Sequence, residues 1–144
     1  MKKSMLSILL LSLISTGLCA QGSITVTVTN VKNDKGDVYF MLHREADDTF
    51  PDGIGEAFKQ VKQKAQAGQM TVTFENIPLG EYTVSIAQDR DANGEINKNF
   101  IGMPKEPIGA SFMESFGKPS WRRSKFSLTA DKPERDLQIK FIKN

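Results

Sequence analysis

The segment Ser23-Ile-Thr-Val-Thr-Val-Thr-Asn30 alternates β-branched apolar residues with threonine. Because successive side chains of a β-strand point to opposite faces, Ile24, Val26 and Val28 share one face and the intervening threonines share the other. This pattern predicts a strand with one face in a hydrophobic core and the other toward solvent. We therefore expect a fold built from half-buried strands.

Similar alternation continues through the first half of the chain. Turn residues at Asn33-Asp34-Lys35-Gly36 precede a second strand that ends at His43, so the first two strands are expected to form a hairpin. A turn or short helix at 54–58 comes before a lysine-rich edge strand. That edge strand is expected to pair, through a turn at Gly68, with a strand at 69–75.

The second half of the chain adds the remaining strands. Ile77-Pro78-Leu79-Gly80 predicts a tight turn into a strand that runs to Gln88. Two more strands are predicted at 123–129 and 134–142, on either side of the turn Asp131-Lys132-Pro133. About seven strands with little helical pattern favour an all-β fold, an antiparallel β-sandwich of the immunoglobulin-like or transthyretin-like kind.

The first twenty residues have the pattern of a signal peptide. Met1-Lys2-Lys3 is basic, and the apolar run from Leu6 to Leu18 ends at a small-residue neighbourhood. We expect cleavage after residues 1–20 and export to the periplasm or the extracellular space. Attachment of a lipid to Cys19 is the alternative, but Leu18 stands where that processing prefers a small residue.

The mature chain is expected to be a single domain over residues 21–144. Loss of Lys2 and Lys3 reduces the 19 basic residues to 17, which equals the 17 acidic residues. A formally neutral domain has no global attraction to nucleic acid or to an anionic membrane. The only cysteine leaves with the signal peptide, so the mature chain has no disulfide of its own, and no transmembrane segment remains.

Residues 89–122 form one long connection without strand periodicity. Long irregular connections in compact domains are usually functional or disordered. The many apolar residues of this one disfavour disorder, so we expect an ordered loop that folds onto the domain. It begins with Asp89-Arg90-Asp91-Ala92-Asn93-Gly94-Glu95-Ile96-Asn97, where oxygen-bearing side chains occupy alternate positions and a glycine is sixth. This spacing is typical of the first half of a calcium loop.

The calcium motif is incomplete at its twelfth position, where Phe100 replaces the bidentate glutamate. Glu106 or Glu114 is therefore expected to supply the missing carboxylate. The predicted ligands are Asp89, Asp91, Asn93, Glu95, Asn97 and Glu106. The alternative is a loop closed by Asx-turns without a metal.

The rest of the long loop is a candidate binding surface beside the metal. The prolines and glycines of segment 102–109 indicate either a recognition surface or a rigid crossing. Trp121 is expected to fill the core or to contact a ligand, and Arg122 could bind an anionic group. The predicted binding surface comprises Phe100, Pro104, Ser111, Trp121 and Arg122.

The chain lacks the residues of several common catalytic sites. His43 is the only histidine, which excludes a histidine-rich zinc site, and no nucleophile motif accompanies it. We expect a structural role for this residue. A non-enzymatic function is favoured.

Five short motifs are spread along the chain: Phe74-x-x-Ile77-Pro78-x-Gly80-x-Tyr82, Asp89-x-Asp91-x-Asn93-Gly94, Gly102-Met-Pro104-x-Glu106, Gly109-x-Ser111 and Lys118-Pro-Ser120. Together they resemble an uncharacterised family of exported bacterial proteins, domain of unknown function 2141. The similarity extends over residues 23–142, and a departure at Asn97, where the family more often has Asp, implies a weaker cation site. The turn at 77–82 is also similar to carboxypeptidase regulatory-like and transthyretin-like modules. The resemblance implies a periplasmic or secreted β-sandwich and no established activity.

The sequence thus favours an exported, monomeric, non-enzymatic β-sandwich whose calcium-ordered loop presents a surface to a protein or an envelope ligand. Two other functions stay open at this point. One is a cation-dependent hydrolase that uses the carboxylates of the same loop. The other is an envelope scaffold that assembles through the lysine-bearing edge strand.

Overall fold

Two β-sheets face each other across a hydrophobic core in the computed structural model, which describes residues 20–51, 53–115 and 117–142. The predicted signal peptide lies outside these residues, apart from Ala20. The strands are β1 Gln21–Val31, β2 Asp37–His43, β3 Lys59–Lys64, β4 Gly68–Pro78, β5 Gly80–Asp89, β6 Ile108–Ala110, β7 Phe126–Leu128 and β8 Glu134–Ile139. A 3₁₀ helix covers Glu45–Asp47, and a short helix α1 covers Trp121–Ser124. The all-β sandwich predicted from the sequence is confirmed.

The first sheet has three strands in the order β4-β1-β8. The second sheet has five strands. Four of them follow the order β3-β2-β5-β6, and the fifth, β7, pairs with residues 80–82 of β5, whereas β6 pairs with residues 85–87. All pairs are antiparallel except β1–β8, which is parallel. No helix among the described residues is long and apolar enough to cross a membrane.

The core lies between the sheets, as the alternation in the sequence predicts. Ile24, Val26 and Val28 of β1 are fully buried, and Phe40 and Leu42 of β2 meet them from the other sheet. Each such side chain contributes roughly 1.5–3 kcal/mol through removal of apolar surface from water. The core therefore holds the domain together without a disulfide.

The predicted hairpins between β1 and β2 and between β3 and β4 are wrong. β1 and β2 belong to different sheets, and so do β3 and β4. Both edges of β1 are occupied, by β4 and β8, so the turn at 32–36 carries the chain across to the other sheet. The two crossings lie side by side, because the Ala65 N–H donates to the Gly36 carbonyl and the Ala67 N–H donates to Asp34 Oδ1.

The long connection is less irregular than expected. It contains β6, and α1 occupies positions 121–124, where the start of a strand was predicted at 123. The final strand also ends at Ile139, and the chain then crosses to the second sheet, where the Ile142 N–H donates to the Ile108 carbonyl at 2.8 Å. Segment 54–58 forms turns, and the edge strand β3 follows it as predicted.

The two sheets differ in what covers their outer faces. On the first sheet, Thr25 pairs with Thr73 and Thr27 pairs with Thr71 through hydroxyl hydrogen bonds of 3.1 Å, at exposed positions. On the second sheet, every residue of β2 is buried. Its outer face forms a second apolar cluster with the covering loops: Tyr39, Met41 and Ala87, packed against Ile54, Ala57, Ile96 and Ile108. The prediction that the long loop folds onto the domain is confirmed at Ile96 and Ile108.

Candidate metal site and adjoining cavity

Asp89 ends β5 and begins the candidate site. Its side chain is fully buried, and its two carboxylate oxygens accept backbone N–H groups, Oδ1 from Asn93 at 3.2 Å and Oδ2 from Gly94 at 2.7 Å. The chain can turn this tightly because Gly94 adopts a φ of 84°, at no steric cost, and Ala92 also has a positive φ, 56°. One aspartate thus closes the turn that follows the strand.

Glu106 joins two parts of the loop that are distant in sequence. Its Oε1 accepts the Arg90 N–H at 2.7 Å, and its Oε2 accepts the Asn97 N–H at 3.0 Å. The residue is 5% exposed. It therefore fixes the beginning and the end of segment 90–97 against each other by charge-assisted hydrogen bonds, which are stronger than neutral ones.

Asp91 completes a set of three carboxylates, which we call the acidic cluster: Asp89, Asp91 and Glu106. One oxygen from each lies within 4.8 Å of the others. Asp91 is exposed, and a hydrogen bond from the Asn97 side chain at 2.8 Å is the main reason that the pKa of Asp91 lies below its usual value. Three like charges at this separation repel one another unless a cation or hydrogen-bond donors compensate them.

The other predicted ligands lie around the acidic cluster rather than within it. The Asn93 side chain donates to Asp91 Oδ2 at 3.2 Å and to Asn97 Oδ1 at 3.1 Å. Glu95 is exposed, and only its backbone N–H contacts this network, at Asn93 Oδ1. Of the two glutamates considered for the missing carboxylate, the structure brings Glu106 into the cluster and not Glu114.

The oxygen atoms of this site fit a calcium ion in their chemistry. Calcium takes six to eight oxygen ligands, from carboxylates, carboxamides and backbone carbonyls. Each carboxylate oxygen of Asp89 and Glu106 that accepts a backbone N–H keeps a second lone pair for a cation. The same hydrogen bonds also close the loop without a metal, so the Asx-turn alternative has a structural basis too.

The acidic cluster supports a small hairpin, residues 97–105. Lys98 and Pro104 form an antiparallel bridge, and the Lys105 N–H donates to the Asn97 carbonyl at 2.7 Å. At its tip, Asn99 Oδ1 accepts the N–H groups of Ile101 and Met103. Because Asn97 is bonded to both Glu106 and Asp91, the base of this hairpin is joined to the acidic cluster by hydrogen bonds.

A cavity of about 370 Å³ lies beside the 97–105 hairpin. Its lining comes from the hairpin, from segment 117–119, and from Pro51, Ile108 and Ile142. None of the three clustered carboxylates lines it. A cavity here could not be predicted from the sequence, because its walls come from five separate parts of the chain.

The predicted binding-surface residues differ in their exposure. Phe100, at the hairpin tip, is 97% exposed, and Pro104 lines the cavity. Arg122 is exposed on α1, whereas Trp121 is partly buried, with its ring 6.5 Å from that of Phe50. Ser111 is wrong as a surface residue.

Ser111 is fully buried because its hydroxyl bonds two backbone groups. It accepts the Val84 N–H at 3.2 Å and donates to the Ser124 carbonyl at 2.5 Å. The residue therefore ties β5 to the end of α1. Its side chain is not available to a ligand.

A buried polar network was also missed. His43 is fully buried, and its ring nitrogens bond Ser85 Oγ at 2.7 Å and Thr49 Oγ1 at 3.0 Å. Burial lowers the pKa of His43 to about 4, although the nearby charge of Asp47 acts in the opposite direction. The expected structural role of His43 agrees with this burial. The only sequence signal for the network was the apolar content of the loops that cover it.

Residues 26–136 match a family described as an uncharacterized protein conserved in bacteria, DUF2141. The chain belongs to this family. The DUF2141 match begins within β1 and ends within β8, so it includes the acidic cluster and the 97–105 hairpin. No curated protein and no solved structure matches the chain.

Proposed function

We propose that this DUF2141 protein is an exported, non-enzymatic binding domain whose acidic cluster holds a calcium ion that orders the 97–105 hairpin. The observation that carries the proposal is the position of Glu106. It bonds the backbone at Arg90 and at Asn97 while its carboxylate faces Asp89 and Asp91. A cation there would relieve the repulsion between the carboxylates and tighten both ends of the loop at once.

Binding is preferred to catalysis because of where the carboxylates lie. The cavity contains none of the clustered carboxylates, and both Asp89 and Glu106 are engaged with backbone N–H groups. The His43–Ser85 pair is buried, so a substrate has no access to that hydroxyl. These features support a calcium ion that acts as a structural clip rather than as a Lewis acid.

Thermal unfolding in calcium and in chelator tests the metal. At a calcium concentration tenfold above the dissociation constant, the ion should stabilise the wild-type fold by about 1.4 kcal/mol, which is roughly 5 °C in the midpoint for a domain of this size. Asp91→Asn should lose that difference. Asp131→Asn, an exposed aspartate on the turn before β8, is the matched control and should retain it. Equal wild-type midpoints in calcium and in chelator would contradict the proposal.

Fractionation of the producing cell tests export. The mature protein should begin near Gln21 and be recovered from the periplasm or the medium. A Cys19→Ser variant should distribute as the wild type does. Release of that variant from a membrane fraction that retains the wild type would instead indicate lipid attachment at Cys19.

A further inference from the structure

The side chains that line the cavity are mainly apolar. Met103, Ile108 and Ile142 face it, together with prolines from three segments of the chain. Ligand sites in proteins are concave, mostly apolar, and contain a few polar groups that fix orientation, with volumes of about 300–1,000 Å³. At about 370 Å³ this cavity is at the lower end of that range and suits a small ligand.

Both ionisable residues among the described lining of the cavity are basic. They are Lys98, from the 97–105 hairpin, and Lys118, from segment 117–119. Lys118 is the middle residue of segment 117–119 and is exposed to solvent. A ligand with an apolar body and one negative group complements both the lining and this charge.

We propose that the cavity binds a small alkanoate, with the hydrocarbon body against Met103, Ile108 and Ile142 and the carboxylate at Lys118. This inference rests on the proposed function in one respect, since the 97–105 hairpin that forms one wall is anchored through Asn97 to the acidic cluster. Calcium and alkanoate should therefore each raise the affinity for the other by the same factor.

Calorimetric titration with octanoate tests the inference directly. The purified protein in calcium should bind octanoate saturably at one site, more tightly than octylammonium by about tenfold or more, because only the anion complements Lys118. Octan-1-ol should lie between them. Absence of saturable octanoate binding below its micellar range, or equal binding of octanoate and octylammonium, would overturn the inference.

Three variants locate the site. Lys118→Glu should weaken octanoate binding about tenfold and leave octan-1-ol binding within twofold, as expected for loss of one exposed ionic contact and its reversal. Met103→Trp, which fills the cavity, should abolish binding of both ligands while the unfolding midpoint stays near that of the wild type. Lys132→Glu, an exposed lysine on the turn before β8, is the matched control and should bind octanoate as the wild type does. Unchanged octanoate affinity in both Lys118→Glu and Met103→Trp would overturn the inference.

A final comparison separates this inference from the proposed calcium site. Calcium stabilisation without octanoate binding would overturn the inference alone. Octanoate binding with the same affinity in calcium and in chelator would support the inference and contradict calcium ordering of the hairpin.

Discussion

The outer faces of the two sheets have opposite characters. On the first sheet, threonines of β1 and β4 pair with each other at exposed positions, and the face needs no further partner. On the second sheet, β2 is buried throughout its length, and so is β5 from Tyr82 onward, because Ile54, Ala57 and parts of the long connection cover them. The outer face of the first sheet, which we call the bare face, is polar and in contact with solvent. The outer face of the second sheet, the covered face, contains the buried histidine, the acidic cluster and one side of the cavity.

This difference shows where polar side chains shape the covering loops. Most polar groups that are buried under a cover are hydrogen-bonded within the protein, and those bonded to a covering loop constrain that loop. His43 is hydrogen-bonded to the Thr49 hydroxyl, and Glu106 accepts hydrogen bonds from the backbone N–H groups of Arg90 and Asn97. Polar side chains on the covered face thus determine the shape of the loops above them. The paired threonines of the other sheet bond to each other and constrain no loop.

The largest effect is expected where the chain crosses from the bare sheet to the covered one. Gly36 has a φ of 69°, and a Cβ at this position would overlap the backbone carbonyl of Asp89. Gly36→Ala should therefore cost about 4 kcal/mol in unfolding free energy, from left-handed strain and a backbone displacement beside the acidic cluster. Denaturant unfolding measures this cost.

Gly68→Ala provides the control for Gly36→Ala. Gly68 also has a positive φ, 99°, but a Cβ there meets no atom within 4 Å. It should cost about 1–2 kcal/mol from strain alone. Equal costs at the two glycines would show that the contact with Asp89 is unimportant.

One substitution on the outer face of each sheet compares the stability contributions of the two faces. Met41, on the covered face of β2, is 1% exposed, and Met41→Ala should cost about 3 kcal/mol through lost burial and the resulting cavity. Thr27→Val on the bare face of β1 should change the unfolding free energy by less than about 0.5 kcal/mol. A loss at Met41 as small as that at Thr27 would mean that the cover is loosely packed.

Acid should destabilise the covered face through His43. Its pKa is about 4 in the folded protein, below the ordinary value of 6.5, so between these pH values the unfolded chain binds a proton that the folded chain does not. The unfolding free energy is therefore highest above pH 6.5 and should fall by about 2.5 kcal/mol between pH 7 and about pH 4.5.

The His43→Gln variant isolates this contribution. Carboxylates with lowered pKa values, such as Asp91, affect stability mainly at pH values below this range. Denaturant midpoints measured across the range should therefore slope less for His43→Gln than for the wild type. Parallel slopes would contradict a neutral, buried histidine.

The smallest effect concerns the support of the hairpin. Glu106→Gln replaces one of two acceptor oxygens with an N–H donor, so either the Arg90 or the Asn97 amide loses its partner. We expect a cost of about 2 kcal/mol in chelator. Glu114→Gln, at an exposed glutamate, is the control and should cost nothing measurable. Hydrogen exchange should become faster at the Arg90 or the Asn97 amide in the Glu106→Gln variant, and at neither amide in Glu114→Gln.

The strands were predictable because their pattern is local. Alternation in β1 defined its buried face, and the lysines of β3 identified an edge strand. The pairing was not predictable in the same way. Turn residues at 33–36 allow a reversal of direction but do not specify whether the chain returns to the same sheet or crosses to the other, so both predicted hairpins were wrong.

The candidate site was predictable only in part. The spacing of Asp89 and Asp91 indicated carboxylates near each other, and Glu106 was one of two suggested additions that the structure brings to them. Ser111 was misplaced because a serine in an irregular segment has no pattern that distinguishes a buried backbone contact from an exposed hydroxyl. The His43–Ser85 bond joins residues of neighbouring strands whose register could not be derived before the pairing was known.

The parallel pairing of β1 with β8 has a consequence for the order of events in the cell. β1 is the central strand of its sheet, and one of its edges is completed only by residues 134–139, which follow all the other strands in the sequence. Contacts so distant in sequence form slowly, because a long loop must close before they are gained. We therefore expect β1 to lack one of its two partners until residues 134–139 have been synthesised. The first sheet should accordingly be completed late in folding.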